Sequence, residues 1–246
     1  MEAKFIDINV DVGEGIGNES ILMPIISSCN IACGGHAGDS ESMRMIVKLA
    51  TANNVKIGAH PSFPDKANFG RKQMDISYSA LYTSIKGQID DLMIILKEEN
   101  TRLNHVKPHG ALYNLAAVDY KTASVIIEVM KNFILPVKLF VPFNSVIEKK
   151  AIENNIPIKY EAFADRNYND DGTLVSRNEK NALIHDSEQM FDHVFRMISS
   201  QKVKTISGSE IKILADTFCI HGDNPKAVDL IRDLSKRLQE KGIQIK

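Results

Sequence analysis

The chain has 246 residues, 43% of them hydrophobic, and its 30 basic and 31 acidic side chains leave a formal net charge of −1. That length suits one α/β barrel with a well-filled core, and charges this balanced and interspersed argue against binding nucleic acid or an anionic membrane through bulk charge. Cys29, Cys33 and Cys219 match neither a disulfide framework nor a short-spaced zinc pair, and no apolar run is long enough to span a bilayer, so a cytoplasmic protein without an export leader is expected.

Short apolar or β-branched runs alternate with longer amphipathic stretches, as when parallel strands are joined by crossover helices. Strands are expected near 5–10, 28–32, 55–59, 104–107, 137–141, 157–162 and 213–220. The first sets Asp7, Asn9 and Asp11 on one face and Ile6, Ile8 and Val10 on the other, then turns through Gly13-Glu14-Gly15. In a barrel Asp11 and Glu14 would reach the catalytic rim; the plainer alternative is a polar edge strand facing water. The second strand runs into Cys33-Gly34-Gly35-His36-Ala37-Gly38-Asp39, where glycines leave room for a ligand near His36 and Asp39 is placed to cap a helix. Cys33 reads as a small buried thiol rather than a nucleophile. The helix that follows can end at Asn53-Asn54 through a left-handed residue.

The third strand ends in His60-Pro61-Ser62. Next, Leu81, Ile85, Ile89, Leu92 and Leu96 recur at spacings of three and four, which predicts a helix with one buried stripe. The fourth exit, Lys107-Pro108-His109-Gly110, puts Lys107 and His109 on one side if the extended path continues through Pro108. There a lysine can neutralise an anion and a histidine can move protons, whereas the bland alternative is a surface lysine beside a capping histidine. In the sixth strand Glu161 interrupts an apolar run, and its exit carries Asp165 and Arg166, a candidate base and a planar fork for a carboxylate or phosphate, or simply a surface salt bridge. Residues 165–210 read as an insertion with a turn at Asp170-Asp171-Gly172, a small hairpin and a helix, inside a single domain spanning 1–246. The last strand ends in His221-Gly222-Asp223-Asn224-Pro225, ahead of a helix that Asn224 can cap with Pro225 as its first residue; Ala227, Ile231, Leu234 and Leu238 form its apolar stripe. Periodicity alone leaves an open doubly wound sheet and a barrel both standing, but polar clusters at six strand exits favour the barrel. His105, His185 and His193 fall away from these exits and are left out of the site.

Seven blocks of this sequence are similar to those of the LamB/YcsF family: Asp7-x-Asn9-x-Asp11-x-Gly13-Glu14-Gly15, Asn30 to Gly34 with His36 to Asp39, Ile57 to Ser62, Phe69-Gly70-Arg71, His105 to Asn114, Phe163 to Arg166 with Tyr168, and His221 to Pro225. Gly35 departs from the phenylalanine usual there, which would enlarge a pocket, and Ser40 departs from a proline. The resemblance covers essentially the whole chain. It implies a seven-stranded parallel βα barrel, TIM-like and of the glycoside hydrolase/deacetylase type, and the A subunit of an ATP-dependent 5-oxoprolinase that turns 5-oxo-L-proline, ATP and water into L-glutamate, ADP and phosphate with partner subunits B and C. No GxxxxGK[ST] loop occurs, which fits ATP being handled largely by those partners.

On this reading Asp11, Lys107, His109, Asp165 and His221 are the catalytic candidates, with Asp11 as general base helped by His109 or His221. Asn9, Glu14, His36, His60, Arg166 and Asp223 are the substrate-binding candidates, and Arg166 or Lys107 would hold a carboxylate or phosphate. Two further readings use the same barrel. One is a deacetylase-like hydrolase in which Asp11 or Glu14 with His36 and His60 binds a divalent ion, although no HxH or HxxxH pair supports it and no metal ligand is assigned. The other is a non-catalytic subunit that only supports its partners.

Overall fold

The computed structural model describes residues 4–222, 224 and 226–246. In chain order the elements are β1 (Lys4–Val12), α1 (Glu19–Leu22), β2 (Ser28–Ala32), α2 (Ser40–Ala52), β3 (Lys56–His60), α3 (Tyr78–Glu98), β4 (His105–Val106), α4 (Gly110–Val118), α5 (Tyr120–Met130), β5 (Lys138–Pro142), α6 (Val146–Glu153), β6 (Ile158–Phe163), α7 (Ser187–Ser200), β7 (Lys202–Lys204), β8 (Glu210–Lys212), β9 (Thr217–Ile220), α8 (Ala227–Glu240) and β10 (Ile243–Ile245). Strands β1 to β6 pair in sequence order, all parallel, and β9 pairs with both β6 and β1, so seven parallel strands close on themselves. Closure decides between the two architectures the periodicity left standing: the fold is a seven-stranded parallel βα barrel.

β1 is no edge strand. Asp7, Asn9 and Asp11 are all buried and point to the barrel interior, while Ile8, Val10 and Val12 pack outward into the apolar layer beneath the helices. The stripe Leu81, Ile85, Ile89, Leu92 and Leu96 is the buried face of α3, as its spacing predicts. The caps work as their residue types suggest. Asp39 accepts from the Ser42 amide at 2.8 Å and Ser42 Oγ accepts from the Asp39 amide at 2.9 Å, closing a capping box on α2, and Asn54 takes a left-handed φ of 57° beyond the end of that helix.

Three expectations need correction. The seventh barrel strand covers only Thr217–Ile220 rather than 213–220, because Glu210–Lys212 pairs antiparallel with Lys202–Lys204 as the hairpin β7–β8, so that hairpin extends past 210. β10, unforeseen, adds in parallel to the first residues of β1, and β9 takes up pairing from Asp7 onward. The last helix begins at Ala227, with Lys226 as its N-cap residue and the Asn224 carbonyl accepting from the Ala227 amide at 2.9 Å; Pro225 lies outside the described residues. The segment between β6 and β9 carries the bridges Arg166–Leu183 and Tyr168–Leu174, then α7 and the hairpin. Among the described residues no helix is long and apolar enough to cross a membrane.

Candidate active site at the barrel mouth

The strand exits converge on one end of the barrel, where a cavity of about 470 Å³ is lined by residues that include Asp11, His60, Lys107, His109, Tyr113, Arg166 and His221. That size lies within the range of small-molecule sites. At its floor the Lys107 ammonium sits 2.9 Å from Asp11 Oδ1, 3.0 Å from Glu161 Oε1 and 2.9 Å from Cys219 Sγ. The extended path does persist past Pro108: the Lys107 amide donates to the Ala59 carbonyl at 2.9 Å and the His109 amide to the Pro61 carbonyl at 2.8 Å, so both side chains turn the same way.

Asn30 fixes Asp11 from the side, donating to Oδ1 at 2.8 Å. Burial works against the charge on Asp11, but His60, Lys107 and His221 outweigh it and hold the carboxyl well below its ordinary value. Lys107 answers in kind: burial disfavours its charge, and Asp11, Cys219 and Glu161 more than restore it. Tyr113 stands beside Glu161, and burial together with that carboxylate pushes its phenol well up.

On one flank, Glu14, His36, His60 and His109 gather. Glu14 Oε1 lies 2.9 Å from His36 Nε2, 3.5 Å from His109 Nδ1 and 4.0 Å from His60 Nε2, and His60 Nε2 lies 2.9 Å from His109 Nδ1 and 3.4 Å from Asp11 Oδ2. The His36 and His109 rings stack at 3.7 Å. Gly70, at a φ of 61°, permits this packing, since a Cβ there would stand 3.1 Å from both His109 and His36.

On the opposite flank Asp165 accepts from the His221 amide at 2.9 Å and faces His221 Nδ1 at 3.0 Å from both carboxylate oxygens. Burial would raise the Asp165 carboxyl, and His221 and Arg166 bring it below its ordinary value. The partly exposed His221 ring also stacks on Phe163. Arg166 lines the cavity, but its guanidinium donates to the carbonyls of Val175 and Ala182. Burial, then the neighbouring Arg177, pushes its pKa down to about 10.

The structure thus gathers Asn9, Asp11, Glu14, His36, His60, Lys107, His109, Asp165, Arg166 and His221 around one end of the barrel, and Asp223 lies outside the described residues. Glu161, Cys219, Asn30 and Tyr113 also belong to this constellation. Glu161 carried a signal, a carboxylate in an apolar strand, and Cys219 carried none beyond its inward register. Cys33 is buried, with its thiol pushed up to about 12 by that burial. His105 lies deeper in the barrel, stacked on Phe140 and held by burial, against the pull of Asp7, to a pKa of about 3. Gly35 does not enlarge the cavity. It abuts Gln88 and Ser62, where a Cβ would meet Gln88 Oε1 at 2.4 Å, so the Gln88 side chain fills that space.

Comparison with known proteins agrees with this architecture. The A subunit of a 5-oxoprolinase from Thermococcus sibiricus is 44% identical over 98% of this chain and 96% of its own length. One of the same name from Bacillus thuringiensis subsp. konkukian is 41% identical over 98% and 97%. Among solved structures, the lactam utilization protein from Thermus thermophilus superposes with a TM-score of 0.91, at 36% identity over 98% of both chains. Residues 6–246 match the LamB/YcsF family, and the chain belongs to that family.

Proposed function

We propose that this chain is the A subunit of a 5-oxoprolinase and that the barrel mouth binds and opens the lactam of 5-oxoproline, giving glutamate. The observation that carries this is the buried Lys107, bonded to Asp11 and Cys219 beneath a cavity lined by His221, whose ring Asp165 holds from behind, in a chain 44% identical to a relative named for that activity.

A five-membered lactam resists attack by water, and coupling to ATP makes chemical sense if phosphorylation of the ring carbonyl oxygen makes the ring carbon electrophilic: water adds there, the ring C–N bond breaks as the nitrogen takes up a proton, and the open-chain acyl phosphate is hydrolysed by a second water to glutamate and phosphate. Lys107 provides fixed positive charge for the carboxylate, the phosphoryl group or a developing oxyanion. The ion pair that holds Asp11 well below its ordinary pKa also makes it a weak proton acceptor. The proton from water therefore passes to His221, because Asp165 receives its Nδ1 and orients the ring, while Asp11 holds Lys107 in place. Arg166, donating to two loop carbonyls, shapes the cavity wall and is a weaker candidate for anion binding than Lys107. ATP, in this proposal, is handled largely by subunits B and C.

Co-purification with candidate B and C subunits tests the reading: glutamate should be released from 5-oxoproline only when ATP is present. Lys107→Ala should lower that release by roughly 10²–10³-fold, the usual cost of removing one fixed donor to a developing charge. Full turnover by Lys107→Ala would sink the assignment and favour a chain that only supports its partners.

A further inference from the structure

We infer that Glu14, His36, His60 and His109 form a binding site for one divalent transition-metal ion of the zinc class. His60 Nδ1 faces the Lys107 carbonyl at 2.7 Å and His109 Nε2 faces the Phe69 carbonyl at 3.0 Å. A carbonyl only accepts, so each of these nitrogens carries the ring proton. The other two nitrogens, His60 Nε2 and His109 Nδ1, are then bare lone pairs facing each other at 2.9 Å. Something positive has to stand between them.

One shared proton would join that pair only, with Glu14 and His36 meeting each other separately at 2.9 Å between Oε1 and Nε2. A cation at the common centre satisfies all four. Zinc-class ions hold nitrogen and oxygen ligands at about 2.0–2.1 Å, which places tetrahedral ligand atoms about 3.3 Å apart. The four known separations within this group are 2.9, 2.9, 3.5 and 4.0 Å, scattered around that value. Two of the three imidazoles already donate their far N–H to a backbone carbonyl, the outer-shell bond that fixes a metal-binding tautomer. Charge points the same way. Lys107 pairs with Asp11 and Glu161, whereas Glu14 faces the imidazoles of His36, His60 and His109, so a divalent ion among those rings would neutralise the Glu14 carboxylate. Three imidazoles and one carboxylate suit zinc, cobalt or iron(II) better than magnesium or calcium.

The neighbouring group Asp11, Cys219 and His221 also clusters at ligand distance, but there the Lys107 ammonium already bonds both Asp11 and Cys219. The site therefore takes one ion per chain. His60 and His109 line the cavity, so the ion borders the space assigned to substrate. Binding of the ion does not depend on which substrate that is.

The test uses the full chain stripped with a chelator and refilled with Zn²⁺ or Co²⁺ alone. About one ion per chain is expected by mass spectrometry, and the Co²⁺ form should show the intense visible absorption of a tetrahedral site. Glu14→Gln and His36→Gln should each weaken Zn²⁺ binding by more than roughly tenfold, while His185→Ala, at an exposed position, leaves it unchanged. Less than about 0.1 ion per chain after refilling, or Co²⁺ without tetrahedral bands, overturns the site whether or not the variants fold. Unaltered affinity in folded Glu14→Gln and His36→Gln overturns it as well. An ion-loaded chain that gives no glutamate with its partners would refute the 5-oxoprolinase reading and leave the metal site standing; a chain that binds no ion yet gives full turnover would do the reverse.

Discussion

The floor and the mouth of the barrel are lined by the same strands and are equally polar, yet they are built on opposite principles. Asp7 and Asp11 lie four residues apart on one face of β1. At the floor, Asp7 Oδ1 accepts from Ser28 and from Thr217, each at 2.6 Å, and Oδ2 accepts from Lys56 at 3.1 Å with Lys159 at 3.5 Å. Nothing is left for a ligand. At the mouth, His60 Nε2 and His109 Nδ1 confront each other at 2.9 Å, and Asp11 and Glu161 share the Lys107 ammonium beside an open cavity. Asn9 joins the two levels, donating to Thr217 at 2.8 Å and accepting from Asn30 at 2.7 Å. The difference teaches that polarity inside a barrel does not by itself mark a site; incomplete mutual satisfaction next to an accessible volume does.

Substitutions can break or sharpen this contrast. The largest effect is expected at the mouth. His221→Gln should lower the rate of glutamate release by roughly 10²–10⁴-fold, the span of general acid–base assistance, with the urea midpoint close to that of the wild type. A variant that instead lost stability but kept its turnover would make the mouth no different from the floor.

Asp7→Asn should show the opposite signature: about 1.5–3 kcal/mol lost in urea unfolding at neutral pH, and turnover per folded molecule unchanged. The pH dependence has a definite sign. Burial raises the Asp7 carboxyl, but Lys159, Ser28, Thr217 and Lys56 together bring it below the ordinary 3.8. Because the folded value lies below the unfolded one, its stabilisation is complete above about 3.8 and drains away as the pH falls through the folded value. The stability gap between wild type and Asp7→Asn should therefore be constant near neutrality and close only in acid. A gap that closes near pH 7 would mean that Asp7 is not held ionised by its lysines.

The smallest effect probes the layer between the two levels. A Cβ at Gly58 would meet His105 Nε2 at 2.1 Å, where that ring stacks on Phe140 and bonds Asn30 Oδ1 at 2.8 Å. Gly58→Ala should cost about 1–3 kcal/mol through overpacking, together with a modest loss of turnover because Asn30 also fixes Asp11. Wild-type thermal stability in Gly58→Ala would show that this middle layer is loosely packed.

Much of the scaffold was legible from residue order. Alternation on β1, the stripe of α3 and the capping residues of α2 are local patterns, each enforced by strand or helix geometry over a few neighbouring positions, and each reappears in the fold. The misreadings share a cause. Glu210–Lys212 has the composition of a strand and is one, but pairing with Lys202–Lys204 takes it out of the barrel, and Ile243–Ile245 is short and finds its partner only once the chain returns to β1. Strand composition states that a segment will extend, not whom it will pair with.

By itself, then, the sequence determined that parallel strands alternate with helices, that chemically able side chains stand at the strand exits, and to which family the chain belongs. Tertiary structure alone decided which of those side chains meet. The four donors Glu14, His36, His60 and His109 come from separate strand exits, so no short spacing announces them, and Lys107 reaches Cys219 across 112 residues. Ring closure is the physical reason: it bends a linear series of exits into a circle, and a distance across that circle has no counterpart along the chain.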